Sequence, residues 1–463
     1  MNRLLCCLAL LAMPALAQAA TLDGASLSLA WGLPFAGILL SIALFPIVAP
    51  GIWHHHFGKI TAAWTALFLL PFAAGFGAGS TAALVVHALL AEFIPFLVLL
   101  FALYTVSGGI LVWGTLRGSP ALNTGLLALG ALLASIMGTT GAAMLLIRPI
   151  LKANARRRHN VHVVVFFIFL VANIGGGLTP LGDPPLFLGF LKGVDFFWTL
   201  RAMALPVLLL VAVLLALFYA LDSYYFRKEG PLPHEQAPEA LKLYGLRNVP
   251  LLLAIIGAVL LSGFWQPGVS FDILGTPLAL QNLVRDVLLL LIAAISLRIT
   301  PRQVRAGNEF NWAPMLEVGK LFAGIFVTIA PVIAILQAGA HGQLAPLVQL
   351  VSAADGAPAN GMYFWMTGLL SAFLDNAPTY LVFFNLASGD AAQLMGPLAH
   401  TLLAISCGAV FMGALSYIGN APNFMVKAIA EQRGIAMPGF FGYLLWSGAI
   451  LLPLFLLLGW VFF

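Results

Sequence analysis

The chain has 463 residues, 62% of them hydrophobic and 8% charged, with a formal net charge of +5 and a mean hydropathy of +1.02. An ordinary globular surface carries roughly 25% charged residues, so this composition excludes a water-soluble protein. The basic residues sit in short connectors between apolar runs, which excludes a nucleic-acid surface and gives them a part in membrane topology.

Residues 1–20 have the form of a secretory signal: Arg3, an apolar core from Leu4 to Leu11, and small residues at Ala15, Ala17 and Ala19. Cleavage there removes Cys6 and Cys7 and leaves Cys407 alone, so no disulfide or cysteine metal site is expected. No paired cysteines, intramembrane histidine cluster or H-E-x-x-H run is present, and neither a cofactor nor an enzymatic activity is expected.

Ten crossings follow, near 33–50, 60–80, 83–115, 160–192, 196–221, 248–265, 283–299, 315–338, 402–432 and 438–463. Two further apolar stretches, 120–151 and 361–387, carry small and polar residues at their centres and read as re-entrant hairpins. With this count the basic connectors fall on one side: Lys59, Arg117, Lys152 to Arg158, Arg227 to Arg247, Arg298 to Arg305, and Lys427 with Arg433. That side is the cytoplasm. The proline-rich stretch 222–247 is a solvated linker between a first half, 30–221, and a second, 248–463.

The halves repeat one another. Glu92 and Glu317 open similar apolar runs, Ser135 and Ser371 open the hairpin centres, and Thr179 and Ser416 open Gly/Pro-containing breaks. From Thr139 to Gly182 is 43 residues, and from Asp375 to Gly419 is 44. The charge rule puts the hairpins on opposite sides. The expected fold is therefore an all-α polytopic membrane protein of two inverted repeats, each with five crossings, a re-entrant hairpin and a broken helix, and its site lies where the repeats meet.

The run I-G-G-G-L-T-P-L-G-D-P-P, 174–185, cannot stay helical, and Gly419-Asn420-Ala421-Pro422 breaks the second repeat similarly. Unwound backbone at membrane depth is tolerated only where protein or a wet cavity satisfies it. Asp183 lies in the first break and Asp375 at the second hairpin tip, and a carboxylate at that depth marks an ion or proton path. Asp183, Asp375, Asn376, Thr139, Thr140, Thr179, Ser416 and Asn420 are expected to line one cavity of oxygens, the ligands that hard cations prefer. Burial disfavours the charged form of a carboxylate, so Asp183 and Asp375 are expected to hold sodium or a proton in turn. Glu92 and Glu317, in matching runs, are candidate secondary proton groups or helix-end ties, with Lys320 one turn beyond Glu317. Arg148 is expected to snorkel or to serve as a counter-charge, and His54 to His56 to lie in a connector.

At these residues the chain resembles the ion transporter superfamily, which includes NhaD-type sodium/proton antiporters, arsenite pumps, and citrate or dicarboxylate transporters. S-A-F-L-D-N-A-P-T at 371–379 is similar to the hairpin motif of the antiporter and arsenite-pump branch, and the two breaks are similar to the superfamily's paired motifs. The resemblance implies a bacterial inner-membrane carrier, often dimeric, working by an elevator-like or rocking motion. It implies sites at Thr139, Thr140, Gly182, Asp183, Asp375, Asn376, Gly419 and Asn420. The dicarboxylate branch usually carries Ser-Asn-Thr at both tips, whereas these tips are Gly138-Thr139-Thr140 and Asp375-Asn376-Ala377. An aspartate there repels a carboxylate substrate. The expected function is sodium/proton antiport at midplane aspartates, with ion-coupled transport of citrate or another organic anion as the alternative.

Overall fold

The computed structural model describes residues 22–114, 116–230, 242–353 and 355–463. The signal segment 1–20 and all three of the linker's prolines, Pro231, Pro233 and Pro238, lie outside them.

Each of the ten segments expected to cross is helical, and the glycines and prolines decide where each helix starts, bends or stops. In the first half α1 spans Leu33–Val48, α2 Pro50–Phe76 and α3 Ala78–Ser107. The hairpin is α4 (Pro120–Met137) and α5 (Thr139–Ala153). The broken helix is α6 (Val161–Leu170), a 3-10 turn at Ile174–Leu178, and α7 (Pro184–Leu191). The long α8, Phe196–Glu229, closes the half. The second half repeats the order. After α9 (Asn248–Phe264) and α10 (Leu280–Ile299) come a short α11 (Arg302–Gly307) and the bent pair α12 (Ala313–Thr328) and α13 (Ala330–Gln337). A one-turn α14 (Ala345–Leu350) leads to the hairpin α15 (Asn360–Leu374) and α16 (Asn376–Ala387). The short α17 (Ala391–Met395) precedes the broken helix α18 (Ala399–Met412) and α19 (Ala421–Gln432), and α20 (Phe440–Phe462) ends the chain. Among the described residues eight helices are long and apolar enough to cross a membrane, or nine with the bent α12–α13 pair counted as one span. The chain is thus an all-α, multi-pass membrane protein. Two short ribbons, Leu111–Trp113 with Lys242–Tyr244 and Ser270–Ile273 with Thr276–Ala279, pin connectors.

Three expectations change. Pro50 is accepted at the first turn of a helix, so α2 begins there, and His54, His55 and His56 lie inside it rather than in a connector. The linker expected to open at residue 222 is helical as far as Glu229. Glu92 lies midway along α3, in a π-helical segment at Ala88–Phe93, while Glu317 lies near the start of α12, so the two glutamates are not equivalents. The features that match are prolines, Pro95 after the π segment and Pro331 after the 40° bend between α12 and α13.

The helices pack as two groups. α1, α2, α3, α9, α10, α12 and α13 form a frame, with α10 against α3 and α9, and α12 against α1 and α2. Both hairpins, both broken helices and α8 form a second unit, with α18 clasped by α15 and α16. α5 and α16 of that unit face α3 and α13 of the frame. The unit's interior is dense: Val163 to Ala172 and Leu402 to Met412 are almost entirely buried, which fixes the breaks that follow them.

Candidate functional site

The hairpin tips share one backbone conformation. Gly138 has φ 80° and ψ 150°, and Asp375 has φ 88° and ψ 135°. Glycine adopts this region freely, whereas a non-glycine residue there costs about 1–3 kcal/mol, as strained residues at functional sites do. Matching Gly138 with Asp375 aligns the halves at a constant offset of 237 residues, the separation of Asp183 from Asn420. Thr139 then pairs with Asn376, Thr179 with Ser416 and Gly182 with Gly419.

The first pair of polar clips obeys this alignment. The Thr179 hydroxyl donates to the Ser135 carbonyl, and the Ser416 hydroxyl to the Ala372 carbonyl, both across 44 residues. The Ser135 hydroxyl donates to Gly175 O at 2.5 Å, and that of Ser371 to Ala409 O at 2.7 Å. Backbone crosses backbone at the breaks. A Cβ on Gly182 would lie 2.1 Å from the Gly176 carbonyl oxygen, and one on Gly419 2.6 Å from that of Gly413. No other residue fits at such approaches. Thr179, Ser416, Gly182 and Gly419, expected as ligands, are therefore the ties that hold each hairpin against its break.

Asp183 is at the centre, 1% exposed. Its Oδ2 accepts Nδ2 of Asn376 at 2.6 Å, and its Oδ1 accepts Nδ2 of Asn420 at 3.0 Å and the Thr139 hydroxyl at 3.4 Å. One carboxylate thus gathers a donor from each hairpin tip and from the opposite break. A buried carboxylate without such partners would be very costly, and hydrogen bonds to an ionised acceptor are roughly twice as strong as neutral ones. Oδ1 of Asn376 is buried and has no protein partner. Asp375 is half-buried, close enough to act electrostatically on Asp183, and its Oδ1 caps its own helix through the Ala377 amide at 3.1 Å. Thr140, one residue past Thr139, is half-buried.

Four helices begin here: α5 at Thr139, α7 at Pro184, α16 at Asn376 and α19 at Ala421. Proline in the first turn of α7 and α19 suits a helix start, because the missing N–H has no intrahelical partner there. The four positive dipole ends point at one volume.

Two residues join the breaks that sequence reasoning missed. Nδ2 of Asn173 donates to Oδ1 of Asn423 at 2.7 Å, and Nδ2 of Asn423 donates to the carbonyls of Gly413 and Ser416, both at 2.9 Å. A lone asparagine inside the apolar run 161–174 was the available signal. Glu92 and Glu317 stand elsewhere. Glu92 pairs with Lys192 beside a cavity of about 410 Å³, and Glu317 lies near Trp53 and His54. Lys320 lies over the Phe57 ring, 5.3 Å from its centroid, rather than against Glu317. Of the two readings of Arg148 the ion pair matches the counter-charge, since its Nη2 donates to Glu309 at 3.2 Å.

A family model described as "Putative citrate transport" matches residues 24–463. Curated relatives include an uncharacterized transporter of Mycobacterium bovis, 26% identical over 328 residues, covering 69% of this chain and 71% of that protein. An uncharacterized transporter of Mycobacterium tuberculosis matches to the same extent. A 46 kDa membrane protein of Mycobacterium leprae is 25% identical over 333 residues, covering 70% of this chain and 73% of its own length.

Proposed function

The chain belongs to that family, and from that premise we propose an ion-coupled secondary transporter of the bacterial inner membrane in which Asp183 carries the coupling ion. The best-supported reaction is sodium/proton exchange. The observation that carries it is the donor set of Asp183: Asn376, Asn420 and Thr139 are all neutral, and among the described residues no cation pairs with the buried carboxylate. A proton or a small cation supplies that charge. The free Oδ1 of Asn376 and the half-buried carboxylate of Asp375 add the oxygens a hard cation prefers. In the inverted-repeat arrangement the site sits at the midplane, and the hairpin unit moves against the frame to expose it to either side. A membrane-depth site of this kind has no need of a cofactor.

Citrate or another organic anion is the second reading. The family description favours it, and so do the four helix N-termini aimed at the site, because such ends bind anions.

Everted vesicles test both. Dissipation of a pH gradient is followed on adding sodium, lithium, potassium or citrate, with Asp183→Asn and Asp375→Asn beside the wild type. Exchange driven by sodium and abolished in Asp183→Asn is the expected result. Undiminished exchange in that variant sinks the site, and a response to citrate alone promotes the second reading.

A further inference from the structure

The half-helix that follows each break ends in a base. Lys192 is the C-cap of α7 and Arg433 the C-cap of α19. Each reaches out of the hairpin unit to an acid of the frame. Lys192 Nζ pairs with Glu92 Oε1, on the π-helical segment of α3. Arg433 Nη2 pairs with Glu309 Oε1 at 2.7 Å, and Arg148 Nη2 with Glu309 Oε2 at 3.2 Å. Glu309 has a left-handed φ of 49°. Its loop is anchored to the far end of α3, where Asn308 Nδ2 donates to Gly108 O and Ile110 O at 3.0 and 2.7 Å. The two contacts therefore grip α3 at its middle and just past its C-terminal end, about 24 Å apart by helix rise.

The likeness extends further. Arg148 and Asn385 are equivalents at the 237-residue offset, and Asn385 Oδ1 also reaches the frame, accepting Gln337 Nε2 of α13 at 3.1 Å. Glu92, Lys192, Gln337 and Asn385 line the 410 Å³ cavity together with His87, whose Nε2 is 4.0 Å from Glu92 Oε1. By contrast Lys427–Glu431 lies within one helix, and the buried group of Arg157, Asp222 and His162 lies within the hairpin unit.

We propose that Lys192–Glu92 and Arg433–Glu309–Arg148 are paired latches, at two separate points along the boundary, that hold the hairpin unit against the frame and must release for the transport cycle to run. The polarity suits release. A base at a helix C-terminus stays favourably placed beside the negative dipole end when its partner leaves. A slide of one helical turn, about 5.4 Å, takes either pair out of contact. The inference rests on the reading of the chain as a carrier whose two helix groups move past each other, and not on which ion it carries. Glu92 and Lys192 are thus positioning residues for the cycle.

Full-length chain in proteoliposomes tests it. Glu92→Gln should raise kcat about fivefold and Glu309→Gln about twofold, scaling with the burial of each pair, with KM unchanged. The charge exchange Glu92→Lys with Lys192→Glu should return kcat to the wild-type value. In a chain whose native cysteines are serine, Glu92→Cys with Lys192→Cys joined by a cleavable thiol cross-linker should stop transport, and reduction should restore it. Cross-linked protein that turns over at the uncross-linked rate overturns the proposal, as does an exchanged pair that behaves like Glu92→Gln. The cross-link gives the same answer with sodium or citrate, so its failure is separable from loss of the Asp183 reading, which the Asp183→Asn arm reports.

Discussion

The two hairpin-and-break modules share one backbone and differ in chemistry. Their tips have the same dihedrals, their hydroxyl clips span the same 44 residues, and their breaks cross at the same glycines. Yet the first has Gly138, Thr139 and Asp183 where the second has Asp375, Asn376 and Asn420. The bases of the hairpins differ as well. At the first, Asn123 donates to Asn154 and to Asp222, and buried Asp222 pairs with Arg157 at 2.6 Å and with His162 at 2.7 Å. At the second, the equivalent Asn360 accepts only a neutral hydroxyl, that of Thr401, at 2.8 Å. The repeated features are those the backbone needs in order to break and turn inside a membrane. The ionisable groups lie where the halves depart from each other, and function is concentrated there.

The largest effect should come from moving the carboxylate across the repeat. Asp183→Asn alone should reduce exchange at least about 100-fold, the scale expected when a charge-assisted cluster of this kind is lost. Asp183→Asn with Asn420→Asp puts a carboxylate at the equivalent position, still beside residue 183 but facing the Ala172 carbonyl and Asn173 Oδ1, which accept from Asn420 in the native site, so recovery is expected to be incomplete. Partial recovery in the double variant, measured as proton flux in proteoliposomes, would show that the site needs one central carboxylate. No recovery would show that the halves are not interchangeable.

Next come the hairpin bases. Asp222→Ala leaves buried Arg157 with Glu229 as its remaining carboxylate partner and removes the partner of His162, and should cost about 1.5–3 kcal/mol. Asn360→Ala loses one neutral hydrogen bond and should cost about 1 kcal/mol. Thermal inactivation in detergent measures both, and equal losses would contradict the contrast drawn between the two bases.

Much of this was legible in the sequence. Glycine and proline in apolar runs marked both breaks, and Asp183, Asn376, Asn420 and Thr139 were singled out before they were seen to meet. Letter matching misled in two places. Thr139 was set against Asp375, a step of one residue, because the tip is defined by a positive φ and glycine supplies it without a side chain to notice. Glu92 was matched to Glu317 because both precede apolar runs, while the shared feature of the third helices is the proline after an irregular step. Asn173 with Asn423, and Lys192 with Glu92, were out of reach because each pair joins distant segments through tertiary packing alone.

The tips offer a smaller test. Asp375→Gly removes a carboxylate but also relieves its left-handed backbone, and should raise stability by about 1 kcal/mol. Gly138→Ala introduces the same strain into the other tip and should lower stability by a similar amount. Opposite signs in a thermal-shift measurement are expected, and a loss in both variants would mean that the Asp375 cap outweighs its strain.

The smallest effect concerns the acidity of the Glu309 latch. Burial alone would raise the Glu309 carboxyl, but the hydrogen bonds and charges of Arg148 and Arg433 outweigh it and hold the group below its usual range. A carboxylate depressed by its partners stabilises the paired state fully above the ordinary glutamate value, about 4.3, and loses that contribution as pH falls through the lower, paired value. Between about pH 6 and pH 8 the latch should therefore stay closed to the same degree, and the ratio of Glu309→Gln to wild-type turnover should be flat. A ratio that slopes across this interval would mean that some other titrating group governs the Glu309 contact. A flat ratio that falls toward unity only in acid would place the charge on Glu309 itself, as the two arginines that share its oxygens require.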